Sequence, residues 1–133
     1  MKNVLLIFVV IIVTGFSSMT FGTNSPVKKS NVNREAIIKN LMVGIKSDNY
    51  GLRTSSAFLL GEFKADEAVI ELLSMLHKED SDDARILAAL SLLKINDSRG
   101  IYAIKQAIRF DNSERVKRMC EKFYHHYLEN KLK

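Results

Sequence analysis

Moved along by 32 residues, the chain lies on itself. Leu52-Arg53 falls on Ala84-Arg85 and then on Val116-Lys117, Ser56-Ala57 falls on Ala88-Ala89, and Leu60 falls on Leu92 and then Tyr124. Ala68-Val69 falls on Gly100-Ile101, and Leu72 on Ile104. A fixed period of this length marks a supersecondary unit that cannot bury its apolar face alone and does so against its neighbours. Small residues recur where helices must approach closely, and large ones where space must be filled.

Within each period the apolar residues follow helical spacing. The spacing predicts six helices, over residues 34–46, 50–63, 66–78, 82–94, 98–109 and 113–130. Their apolar sides are Ile37, Ile38, Leu41, Met42 and Ile45 in the first, and Leu52, Ser56, Leu59, Leu60 and Phe63 in the second. Val69, Leu72, Leu73 and Leu76 serve the third, and Ile101, Ile104 and Ile108 the fifth. The sixth carries Val116, Met119, Cys120, Phe123, Tyr124, Tyr127 and Leu128. The fourth is apolar nearly all round (Ile86 to Leu90, Leu92, Leu93), so it needs cover on more than one side. Links of a few residues force neighbouring helices antiparallel. Asp66, Ser81 and Ser98 stand where an N-cap oxygen is wanted, and Asp111 with Glu114 has capping-box spacing. The expected fold is all-α: an α-solenoid of about three stacked antiparallel hairpins.

Two stretches carry a likeness to a known family. Leu60-Gly61-Glu62-Phe63-Lys64-Ala65-Asp66-Glu67-Ala68-Val69 and Leu92-Leu93-Lys94-Ile95-Asn96-Asp97-Ser98-Arg99-Gly100-Ile101 resemble the linkers between hairpins of HEAT-repeat proteins, in particular the short HEAT-like repeats of the bilin-lyase type. The likeness runs over residues 33–127. It implies an Asp before the second helix of each unit and an Arg early in it, paired in a structural ladder. Asp48 with Arg53, and Asp80 with Arg85, stand at those places. The third unit departs from the pattern, with Lys117 in the Arg position and a longer helix, and reads as an end cap.

Residues 1–22 read as an address. A Lys2 start, an apolar run from Val4 to Val13 that is shorter than the ~20 residues of a membrane span, and Thr20-Phe21-Gly22 fit a signal peptide cleaved near Gly22. Residues 23–32, with the only Pro of the chain and two Lys, read as a flexible leader, and residues 33–130 as the repeat domain. The expected address is periplasmic or secreted.

Nothing in the pattern assigns a catalytic, metal or cofactor site. His125 and His126 are adjacent, so on a helix they point about 100° apart and do not converge on one ion. Cys120, the single cysteine, lies within an apolar stripe and is expected as a buried thiol. Charge says more. The net charge is +5, and residues 23–61 carry 6 basic and 2 acidic groups, 62–97 carry 4 and 9, and 98–133 carry 9 and 4. The expected field is positive, negative, positive along the chain. Arg118, Lys122 and His125 lie one turn apart on the last helix and form an expected docking strip for an acidic partner.

The functional expectation is an exported, non-enzymatic scaffold that binds another protein, either in a groove lined by the second helices of the hairpins or on that strip. Three alternatives stand beside it. One is a lyase-like accessory enzyme, which comes with the family likeness alone. Another is nucleic-acid binding by a basic helical face, against which export and the acidic middle both argue. The third is a membrane association through an uncleaved signal peptide or weak electrostatics.

Overall fold

The computed structural model describes residues 33–132; the expected signal peptide and leader lie outside the described residues. Six α-helices carry the fold: α1 Arg34–Gly44, α2 Tyr50–Glu62, α3 Val69–Lys78, α4 Asp82–Ile95, α5 Ser98–Phe110 and α6 Glu114–Lys131. A 3-10 turn, Asp66–Ala68, leads into α3. The described residues contain no strand. The helices match those the apolar spacing predicts, with ends within about two residues once the 3-10 turn is counted with α3.

The helix starts are capped differently from expectation. Asn33, Asn49, Asp97 and Ser113 are the residues whose side chains accept from open backbone N–H groups. Asp66 is instead the first residue of the 3-10 turn, and Ala65, at the cap position before it, offers no side-chain cap. Ser98 is already inside its helix, one residue past Asp97. Ser81 occupies the cap position of α4, but its hydroxyl meets the Tyr50 hydroxyl at 3.2 Å rather than the helix. Asp111 accepts from the Ser113 N–H at 2.8 Å, so it orders the turn before the cap instead of forming a box with Glu114.

The six helices pack against one another, consecutive ones pairing as α1–α2, α3–α4 and α5–α6, and α4 touches α2, α3, α5 and α6. This gives part of the cover its all-round apolar sequence requires: Ala84, Ala88, Ala89 and Leu92 are fully buried, while Ile86, Leu87, Leu90 and Leu93 are half-buried. The α2–α4 crossing is close because both sides are small. A methyl group on Gly61 would stand 2.8 Å from Ser91 Cα. Ser91 Oγ is buried there with no hydrogen-bond partner among the described residues, so the residue serves this contact by its size. α2 turns its other flank outward: Leu52 and Leu59, expected in the core, are 52% and 40% exposed. No hairpin precedes α1–α2 among the described residues, so that flank of α2 lacks the cover that α2 gives α4.

The two inter-hairpin joints repeat a backbone device. Lys64 (φ 49°) and Asn96 (φ 64°), 32 residues apart, are the only non-glycine residues in left-handed conformation among those described. After α2, Ala65 N–H donates to Leu60 C=O and Lys64 N–H to Gly61 C=O, both at 3.0 Å, the bonds of a Schellman motif. After α4, Asn96 N–H donates to Leu92 C=O at 3.0 Å, the simpler αL ending.

Two measurements check this packing. Gly61→Leu drives a side chain into Ser91 and lowers stability by about 3 kcal/mol in urea unfolding. Lys64→Gly relieves a left-handed Cβ and raises stability by about 1 kcal/mol in the same assay; an unchanged or lower midpoint would contradict the left-handed assignment.

Candidate partner-binding groove

The two arginines placed early in α2 and α4 join the hairpins. Arg53 Nη1 donates to the carbonyls of Ser47 (2.8 Å) and Asp48 (3.2 Å), while its Nε and Nη2 grip the Glu79 carboxylate. Arg85 repeats the arrangement one period on. Its Nη1 donates to the carbonyls of Glu79 (2.7 Å) and Asp80 (3.2 Å), and its Nη2 to Asp82 Oδ1 (2.8 Å), Asn112 Oδ1 (3.1 Å) and Asp111 Oδ1 (3.3 Å). Arg85 Nε lies 3.2 Å from Asp111 Oδ2, near enough to pair but not aligned for a hydrogen bond. Each guanidinium thus ties its own turn to the turn of the following hairpin. Asp48 and Asp80 contribute carbonyl oxygens to this ladder; the carboxylates come from Glu79, Asp82 and Asp111. The Glu79 contacts raise the Arg53 pKa further above its ordinary value.

Other side chains one period apart also meet. Lys94 pairs with Glu62, and Arg115 with Asp83. Lys117, in the Arg position of the last unit, reaches only Glu114 in its own helix, at 2.8 Å. The Glu114 carboxyl is held below its ordinary range by Lys117 first and Arg118 last.

Arg118, Lys122 and His125 are all exposed and line up on α6. Glu114, Glu121 and Glu129 are exposed on the same side, each one turn from Arg118 or His125. The face alternates in sign, so its field is not the basic one expected from Arg118, Lys122 and His125 alone.

The opposite flank of α6 borders a groove of about 840 Å³ between the C-terminal halves of α4 and α6, closed at one side by the end of α2. Its apolar floor is Leu90, Leu93, Phe123 and Tyr127, and its rim carries Lys64, Lys94 and Lys131. Register explains why a groove opens here. Gly61 and Ser91 fill the α2–α4 crossing; one period later the equivalent positions are Leu93 and Phe123. Two small side chains in contact give way to two large ones at the equivalent positions, and both of these line the groove. Lys131 Nζ lies 5.8 Å from the Tyr127 ring centre, and Tyr127 stacks on Tyr124 at 6.1 Å. His126, also in the lining, is hydrogen-bonded to Asn130 at 2.9 Å. Recognising this site from sequence required knowing that α4 and α6 cross as α2 and α4 do.

Cys120 is fully buried, and burial pushes its thiol up to about 12. It is therefore a neutral core group rather than a nucleophile. Because the folded value is raised above 9.0, the stability tied to the neutral thiol is present below about pH 9 and declines between about pH 9 and 12. Iodoacetamide is expected to leave the native thiol unmodified at neutral pH and to label it in urea; labelling of the native protein at the unfolded rate would refute its burial. The buried Arg85 gives a second check. Arg85→Ala is expected to cost about 3 kcal/mol, more than Arg53→Ala, because removing the guanidinium orphans the more deeply buried partners; equal urea midpoints for the two variants would contradict the difference. No family model matches the chain, and no curated protein matches it.

Proposed function

We propose that this chain is an exported helical-repeat scaffold, an α-solenoid of the HEAT-like kind, that binds another protein in the α4–α6 groove. The observation that carries the reading is the replacement of Gly61 and Ser91 by Leu93 and Phe123 at the same register, which turns a closed helix crossing into an open apolar groove. The solenoid reading is supported by contacts between like positions of successive hairpins, Glu62 with Lys94 and Asp83 with Arg115, and by two arginines that each reach from one turn to the next.

The groove is favoured over the outer strip of α6 on physical grounds. Arg118, Lys122 and His125 are interleaved with glutamates in water, where exposed pairs contribute little. The groove joins half-buried apolar side chains to a rim of charge, the combination that binding sites use for affinity and orientation. Its polar members are lysines, amides and one histidine held by Asn130. Such groups suit recognition, so the reading assigns binding rather than chemistry. Export rests on the signal-peptide pattern of residues 1–22.

A photo-crosslinking amino acid placed at His126 in the groove, or at His125 on the outer face, tests this in intact cells of the native host. A discrete protein adduct from position 126, absent from 125 and lost when Leu93→Gly and Phe123→Ser remove half of the apolar floor, is expected. Equal background from both positions would remove the groove as a partner site. Recovery of the protein solely from the cytosol would remove the exported role.

A further inference from the structure

We propose that the α4–α6 groove takes a peptide segment in which an apolar side chain sits beside carboxylates, the apolar group lying on Leu93 and Phe123 and the carboxylates meeting Lys64 and Lys131. The proposal rests on the groove being the partner site and specifies what the partner must present.

Charge at the rim carries the argument. Three lysines line the groove and one carboxylate, Glu62, lines it with them. Glu62 is already engaged by Lys94, which also sits 5.0 Å from the Phe58 ring centre. Among the described residues, Lys64 and Lys131 meet no carboxylate. They stand at the C-terminal ends of α2 and α6, so the negative ends of those helix dipoles oppose part of their charge. That leaves a rim that is positive but not strongly so, matched to one or two carboxylates. The floor adds a requirement that charge alone does not. Leu90 and Leu93 are aliphatic and Phe123 and Tyr127 aromatic, all half-buried, so an occupant must remove apolar surface from water to gain from them.

A single nucleic-acid strand is the competing occupant, because lysines with aromatic rings can also hold phosphates and stacked bases. The observations favour the peptide. Tyr127 is already stacked on Tyr124 with Lys131 near its ring, and half of the apolar floor is leucine, which offers no stacking face.

Fluorescence polarisation with four labelled probes tests the class of ligand: an acidic peptide, Asp-Leu-Glu-Phe-Asp-Leu; the same peptide with Lys at its acidic places; the same with Ser at its apolar places; and an oligothymidine. The acidic apolar peptide is expected to bind, more weakly as salt rises, and the other three to bind at least about ten-fold more weakly. Lys64→Glu with Lys131→Glu is expected to weaken the first peptide by about ten-fold or more. Arg118→Glu with Lys122→Glu, on the outer face, should leave it within about two-fold. Both double variants replace exposed side chains, and an unchanged helical circular-dichroism melt verifies that they fold. Binding of the lysine peptide or the oligothymidine as tightly as the acidic peptide would overturn the proposal, as would indifference to the groove double variant. If no peptide binds while the groove crosslink persists in cells, the ligand chemistry is wrong and the site stands; if the crosslink also fails, the site itself is wrong.

Discussion

A buried guanidinium is tolerable only where its donors are met, and Arg85 sits at 6% exposure with two carbonyls, two carboxylates and one amide oxygen around it. None of these partners belongs to the body of another helix. They lie in the α3–α4 turn, at the start of α4 and in the α5–α6 turn, so the position of one hairpin relative to the next is set at the turns. Arg53 does the same one hairpin earlier, at a more exposed place. The planar fork matters here, because a lysine in the same position is a point charge that cannot serve carbonyls and a carboxylate together. Lys117 illustrates this: it pairs only within its own helix, and the described residues hold no later turn for it to reach.

With the turns fixed in this way, side-chain volume decides what happens along the rest of each helix crossing. Helix pairs joined by arginine contacts at one end can still meet closely or part at the other, depending on the side chains there. Gly61 against Ser91 lets α2 and α4 close; Leu93 against Phe123 does not let α4 and α6 close. The groove is then a consequence of packing at a repeated register, not of a loop or an insertion. This also places it at the end of the molecule away from the arginine ladder, where a bound segment would not compete with the contacts that hold the hairpins together.

The helices were legible because each hairpin writes its apolar face at helical spacing and the next repeats it 32 residues later. Arg53 and Arg85 were legible as ladder residues for the same reason. Their partners were not. A guanidinium satisfied by the backbone leaves no side-chain signature, so Asp48 and Asp80 read as the carboxylates, whereas Glu79, Asp82 and Asp111 supply them. Asn49 and Asp97 cap helices whose starts also offer other polar residues, and a shift of one position decides which oxygen reaches the N–H groups. Leu52 and Leu59 followed the helical pattern of a buried side, yet the pattern does not say that the first hairpin lacks a neighbour on that flank. Arg118, Lys122 and His125 share their face with Glu114, Glu121 and Glu129, whose charges alternate with theirs.

The backbone at Lys64 bears on the groove as well as on the fold. A left-handed residue is needed there to end α2 and turn the chain into the next hairpin, and Asn96 fills the same place after α4. Asn tolerates that conformation better than most residues, and Gly would adopt it without strain, whereas Lys gives up roughly 1 kcal/mol. Neither Gly nor Asn would bring a charge to the rim. Under the proposed recognition of carboxylates, the strained choice has a physical reason: the αL turn directs the chain out of α2 beside the groove, so an ammonium on that residue meets the ligand without any other element having to move. The strain persists because the surrounding structure holds it, here the two backbone bonds that end α2.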